Sequence, residues 1–143
     1  MNREIEELIG QKDAQGEAYS RDDLQRIARY EGAGGQGSKG ASGQGVLYEF
    51  FTPSYVVSLM WELARFHGYD GGTILKPSFA TGRFFEEVSD RSLITGFEIN
   101  PVSFRIAELL YPGANLYPNY FETAFLEKPR FTTRLSEKKL TWL

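Results

Sequence analysis

The sequence predicts an α/β fold organised around a parallel sheet, and three observations lead there. Short β-type runs at residues 73–75, 93–97 and 115–117 alternate with helical patterns. The helical patterns start on cap-like residues ahead of an apolar stripe. The segments between the runs are long enough for helical crossovers, which join parallel strands with right-handed connections. The strands are therefore expected in the order third-second-first. A chain of 143 residues is sized for one domain with a real core.

Residues 3–10 and 20–30 read as short helices forming an N-terminal helical segment over 1–31. In the second, Ser20 suits the N-cap, Asp22 and Asp23 suit the positive helix end, and Leu24, Ile27 and Ala28 share a face. Residues 32–45 are half glycine, with Ser, Gln, Ala and Lys making up most of the rest, the composition of a flexible loop or linker. The main α/β segment is expected over residues 46–128. It opens with Thr52 as cap and Pro53 in the first turn of a helix whose apolar stripe is Val56, Met60, Leu63 and Ala64, ending before Gly68.

After the Gly71-Gly72 turn comes the first strand, and Phe84, Phe85 and Val88 mark a helix beginning just past Thr81-Gly82. The second strand leads to Asn100 and Pro101, a second cap-plus-proline start, followed by Val102, Ile106, Leu109 and Leu110 on one helical face. Pro112-Gly113 turns the chain into the third strand. Residues 129–143 read as a tail approaching a further strand that the chain stops short of, as expected of a truncated or naturally short form. That would leave the first strand with an open edge and the chain prone to self-association.

Composition excludes several function classes. Zero cysteines remove disulfide scaffolds and thiolate metal sites, and fit a reducing compartment. No apolar run approaches the roughly 18–20 residues of a membrane span, so a cytoplasmic location is expected. A net charge of −3 argues against this segment alone gripping DNA, because Lys and Arg neutralising phosphates dominate such affinity. The basic tail residues Lys128, Arg130, Arg134, Lys138 and Lys139 read as a solvated stretch. His67, the only histidine, sits at a helix end, where a C-terminal contact is a better explanation than catalysis. No metal-ligand spacing and no Ser/His/Asp set can be assembled.

The chemistry-bearing candidates are three. Phe51, Thr52 and Pro53 form an aromatic-Thr-Pro helix start. Lys76-Pro77-Ser78-Phe79-Ala80-Thr81-Gly82 is a strand-to-helix turn of the kind that brings bare backbone close to a ligand. Glu98 ends the second strand, 16 residues after Gly82, where a nucleoside-binding fold places an acid for ribose hydroxyls. Its plainer reading is a carboxylate favouring the helix that starts at Asn100.

In this order, these motifs resemble the cofactor-binding half of S-adenosylmethionine-dependent DNA adenine-N6 methyltransferases, over about residues 20–126. The resemblance implies a partial Rossmann-like class I methyltransferase fold and S-adenosylmethionine as cofactor. It assigns Phe51, Thr52 and Pro53 to the cofactor's methionine and adenine end, and Pro77, Ser78, Phe79, Ala80, Thr81 and Gly82 to its close approach. Glu98 would hold the ribose, Ile99 would pack on the adenine, and Asn119 and Phe121, in the run Asn119-Tyr120-Phe121-Glu122, would read and stack on the base. The family's Asn/Asp-Pro-Pro-Tyr/Phe tetrapeptide does not occur, so no catalytic residue is assigned and DNA would be engaged through regions outside the chain.

Two positions depart from the family pattern. Lys76 stands where an acid is expected and cannot accept hydrogen bonds, and Ala80 stands where a glycine is expected. These departures motivate the competing expectation of a non-catalytic interaction module with a decayed cofactor pocket.

Overall fold

The computed structural model describes residues 1–31, 51–126 and 141–142. The expected linker at 32–45 and nearly all of the basic tail lie outside the described residues. The chain forms two compact units, Met1–Phe51 and Thr52–Leu143.

In the first unit, α1 spans Asn2–Gln15 and α2 spans Arg21–Ile27. Helix α1 runs past Gly10, where the sequence suggested an end, because an interior glycine costs only about 1 kcal/mol in a helix. It stops at Gly16, whose left-handed backbone lets the Gly16 and Glu17 amides close onto the Asp13 and Lys12 carbonyls. Ser20 caps α2 in a reciprocal capping box with Asp23. Ile5, Ile9, Ile27 and Tyr30 are buried, and the Tyr30 hydroxyl donates to Glu6 at 3.0 Å.

The second unit begins with α3, Ser54–Phe66, and its sheet contains β1 (Ile74–Lys76), β2 (Ile94–Phe97), β3 (Asn115–Tyr117) and β4 (Thr141–Trp142). Helix α4, Pro101–Leu110, links β2 to β3, and α5, Thr123–Leu126, follows β3. The strand order is β3-β2-β1-β4. Every pairing is parallel, with Ile74 beside Ile94 and Thr141, and Thr95 beside Asn115. The expected third-second-first order is present, but the expected open edge on β1 is not. Strand β4 pairs with Ile74 and Leu75, so β1 is flanked on both sides and self-association through its edge loses its basis.

Two local expectations are corrected. Helix α3 starts one residue later than the cap pattern implied: Pro53 is the N-cap and no side chain caps the helix. Its buried face is also rotated from the expected stripe. Val57 and Trp61, one turn apart, enter the core, while Leu63 is half exposed. Trp61 anchors the helix by donating from Nε1 to the Phe84 carbonyl at 3.0 Å.

The helix expected after Gly82 is instead a single 3₁₀ turn, Arg83–Phe85, because Asp90 caps another such turn at Arg91–Leu93 and leaves too little chain to repay helix nucleation. Phe84 and Phe85 both point inward and, with Phe79, Ile74, Ile94, Trp61 and Tyr111, fill the core. Asn100 does cap α4, its Oδ1 accepting from the Val102 and Ser103 amides with Pro101 in the first turn. His67 closes α3 as its C-cap residue.

Candidate functional site

In a parallel sheet the loops leaving the strand C-termini share one rim, and the loops after β1, β2 and β3 meet there. They bound a cleft of 270 Å³ lined by Pro77, Ser78, Phe97, Glu98, Ile99, Asn119, Tyr120, Phe121 and Glu122. Small-molecule sites commonly run to roughly 300–1,000 Å³, so this is a shallow, small example. Its aromatic side is built by Phe97, whose ring stacks on Tyr117 at 5.2 Å and meets Phe121 edge-on at 5.4 Å.

Glu98 is the best-determined polar group in the cleft. It is only 8% exposed, and the chain itself uses its carboxylate. Oε2 accepts from the Ala80 amide at 2.8 Å and from the Ser78 hydroxyl at 3.4 Å, while Oε1 accepts from the Asn100 amide at 2.9 Å. One side chain thereby ties the turn after β1 to the start of α4. Both carboxylate oxygens are engaged by internal donors, as expected for a charge so far removed from water.

Lys76 shows the same self-satisfaction. Its Nζ donates to the Ser78 carbonyl at 2.9 Å and lies 4.8 Å from the centre of the Phe84 ring. Burial pushes its pKa down, while the negative charge of Glu98 opposes that shift. The Lys76 ammonium and the Glu98 carboxylate thus brace the turn from its two ends.

The bend between them faces inward. Phe79 is buried against β2, where a Cβ on Gly96 would lie 2.6 Å from its ring. Ala80 adopts φ 51, a left-handed conformation unfavourable for an L-residue with a side chain. Thr81 is buried, and Gly82, at φ 82, sits so close beneath Tyr111 that a Cβ would come within 2.7 Å of that ring. The amides of Gly82, Phe85 and Glu86 donate to the carbonyls of Phe79, Gly82 and Arg83.

Of the residues singled out in the sequence, the structure therefore gathers Pro77, Ser78, Glu98, Ile99, Asn119 and Phe121 around one cleft, with Ala80 reaching it through its amide. Phe79, Thr81 and Gly82 serve the core side of the turn. Thr52 and Pro53 precede α3 and are not among the described cleft residues, and Phe51 belongs to the first unit, where its ring lies 6.1 Å from Tyr30. Sequence reasoning left Phe97, Tyr120 and Glu122 out of the site, although Tyr120 and Glu122 stand in the same short run as Asn119 and Phe121. Among the described residues no group of His, Cys, Asp or Glu could hold a metal ion, and no helix is long and apolar enough to cross a membrane.

No family model matches the chain, and no solved structure matches it. The chain is similar to the Defense against restriction protein B of Escherichia phage P1, with 34% identity over 105 residues. That stretch is 73% of this chain and 4% of the phage protein, so the chain corresponds to a small part of its relative.

This finding corrects the methylase reading. The relative is named for defence against restriction and not for methyl transfer, and no family model, a methylase one included, matches the chain. The resemblance carried by the aromatic-Thr-Pro, Ala80-Thr81-Gly82 and Glu98 motifs does not identify a DNA adenine methylase, and the assignment to DNA methylation falls with it. In physical terms, the motifs are short and each has a structural explanation: a helix start, a packed bend under Tyr111, and an internally bonded carboxylate.

Proposed function

We propose that this chain is a non-catalytic interaction module: a Rossmann-like α/β unit that serves restriction defence as part of a larger assembly, with a rim cleft closed by its own side chains. The observation that carries this reading is the Glu98 carboxylate, whose two oxygens are engaged by the Ala80 and Asn100 amides. A ligand hydroxyl that displaced either amide from that carboxylate would leave a partly buried donor without its partner, a loss of about 1–3 kcal/mol. Lys76 adds a cation at the mouth of the turn, repelling any ligand that carries a sulfonium or ammonium group. At 270 Å³, the cleft offers limited room for a nucleoside cofactor.

The role in restriction defence follows the name of the phage relative. Any contact with DNA is placed in regions outside this chain, since its net charge of −3 supplies no field to attract phosphates. Action in the cytoplasm, where restriction occurs, is part of the same proposal.

The test is calorimetric titration of the full chain with S-adenosylmethionine, in parallel with the K76E/A80G variant. The native chain is expected to give no binding heat and no thermal shift at millimolar ligand. Weak affinity gained only by the variant would fit a pocket that has lost its cofactor. Micromolar binding by the native chain would overturn the proposal.

A further inference from the structure

Helix α3 is apolar on two sides. Val57 and Trp61 face the core, yet Tyr55, Leu59, Leu63 and Phe66 on the opposite side are 76%, 52%, 49% and 83% exposed. At about 100° per residue these four follow one another at spacings of four, four and three and form one stripe about 16 Å long. A helix that is apolar nearly all round belongs to a buried position, yet no described residue covers this outer face. The nearby Arg65 guanidinium is held by Glu87 at 2.7 Å, and within α3 Glu62 is the other charged residue near the stripe.

We propose that a second copy of this chain covers this face, the two α3 helices packing antiparallel about a twofold axis. The stripe reads aromatic-Leu-Leu-aromatic in both directions. A twofold axis through the middle of the helix therefore sets Tyr55 of one copy against Phe66 of the other, and Leu59 against Leu63, which is the self-complementarity an isologous interface requires. Taking about 150–250 Å² for a bulky side chain, the exposed fractions amount to roughly 500 Å² per copy. Two copies bury roughly 1,000 Å², the lower limit for a specific interface, which points to a weak, reversible dimer rather than a permanent one. The surface lies on a helix face that takes no part in the rim cleft, so the proposal stands apart from the reading of that cleft.

The experiment is sedimentation equilibrium of the full chain over a concentration series, with Leu59→Glu beside it. The native chain is expected to pass from monomer to dimer in the micromolar range. Leu59→Glu should raise Kd at least about tenfold while leaving the far-UV circular dichroism spectrum unchanged, since the residue is half exposed. Because the chain has no cysteine, register can be tested independently of stability. Mixing Tyr55→Cys chains with Phe66→Cys chains should give an interchain disulfide faster than either chain alone. A monomer at all concentrations, a dimer indifferent to Leu59→Glu, or faster cross-linking within one variant than between the two would each overturn the proposal.

Discussion

Replacing Glu98 with alanine should destabilise the second unit by about 3 kcal/mol. The carboxylate accepts from the Ala80 and Asn100 amides at 2.8 and 2.9 Å, and from the Ser78 hydroxyl at a longer 3.4 Å. Truncation leaves two partly buried amides without their acceptor, at about 1–3 kcal/mol each, moderated by water entering the cleft at the lower end of that range. The hydroxyl of Ser78 can rotate towards solvent and adds little. Glutamine in the same place keeps one acceptor oxygen but turns a donating NH₂ towards an amide that also donates, so Glu98→Gln should lose about half as much. Urea unfolding of the full chain, followed by circular dichroism, measures both values, with an unchanged m-value showing that only stability has moved. In a unit of this size the alanine variant should also melt on the order of 10 °C lower. A loss below about 1 kcal/mol for Glu98→Ala would show that the carboxylate does not hold the rim together, and would remove the main support for a self-closed cleft.

Three further outcomes are expected. Ala80→Gly should stabilise the chain by up to about 1 kcal/mol in the same unfolding assay, because φ 51 disfavours a Cβ by more than glycine's extra unfolded-state entropy offsets. Gly96→Ala should destabilise by about 1–3 kcal/mol, since the new methyl would lie 2.6 Å from the Phe79 ring in a core with no slack. The third concerns pH. Hydrogen bonds from Ser20 hold the Asp23 carboxylate at about 2, below its ordinary value of 3.8. A depressed acid contributes stability above its unfolded value and loses it as pH falls through the folded one, so the capping box should weaken between about pH 4 and pH 2. Helical circular dichroism should report this loss, and Ser20→Ala should flatten it.

The parts of the fold that could be read from the sequence were those governed by short-range chemistry. Asn100 and Pro101 announced α4 because an N-cap side chain and a first-turn proline act within a single turn. The β-type runs announced their strands and, through the crossover rule, the order of the first three. Helix α3 was legible as a helix but not in its orientation, because a helix apolar on two sides gives periodicity no way to choose the inward face. The turn after Gly82 was misread because Phe84, Phe85 and Val88 fit a helical pattern, whereas the length of chain before Asp90 decides against one.

The candidate site was partly legible for a similar reason. Strand ends identify the rim, and Pro77, Ser78, Glu98, Ile99, Asn119 and Phe121 all lie around the one cleft there. What each does depends on its hydrogen-bond partners, and these are set by tertiary packing. Glu98 looks the same in a sequence whether its oxygens face a ligand or the amides of Ala80 and Asn100. Ala80 hides its left-handed backbone behind an ordinary side chain.

The placement of β4 bears on how the chain acquires its structure. Strands β1, β2 and β3 follow one another through short connections and can associate as soon as they leave the ribosome. Thr141 and Trp142 must instead find Ile74 and Leu75 across a much longer span of polypeptide. Closing a loop of that length is entropically slow but adds little to the final free energy, since the penalty grows only with the logarithm of the span. The expected kinetic order is three strands first and the fourth last, with β1 passing through an interval in which one flank is bare.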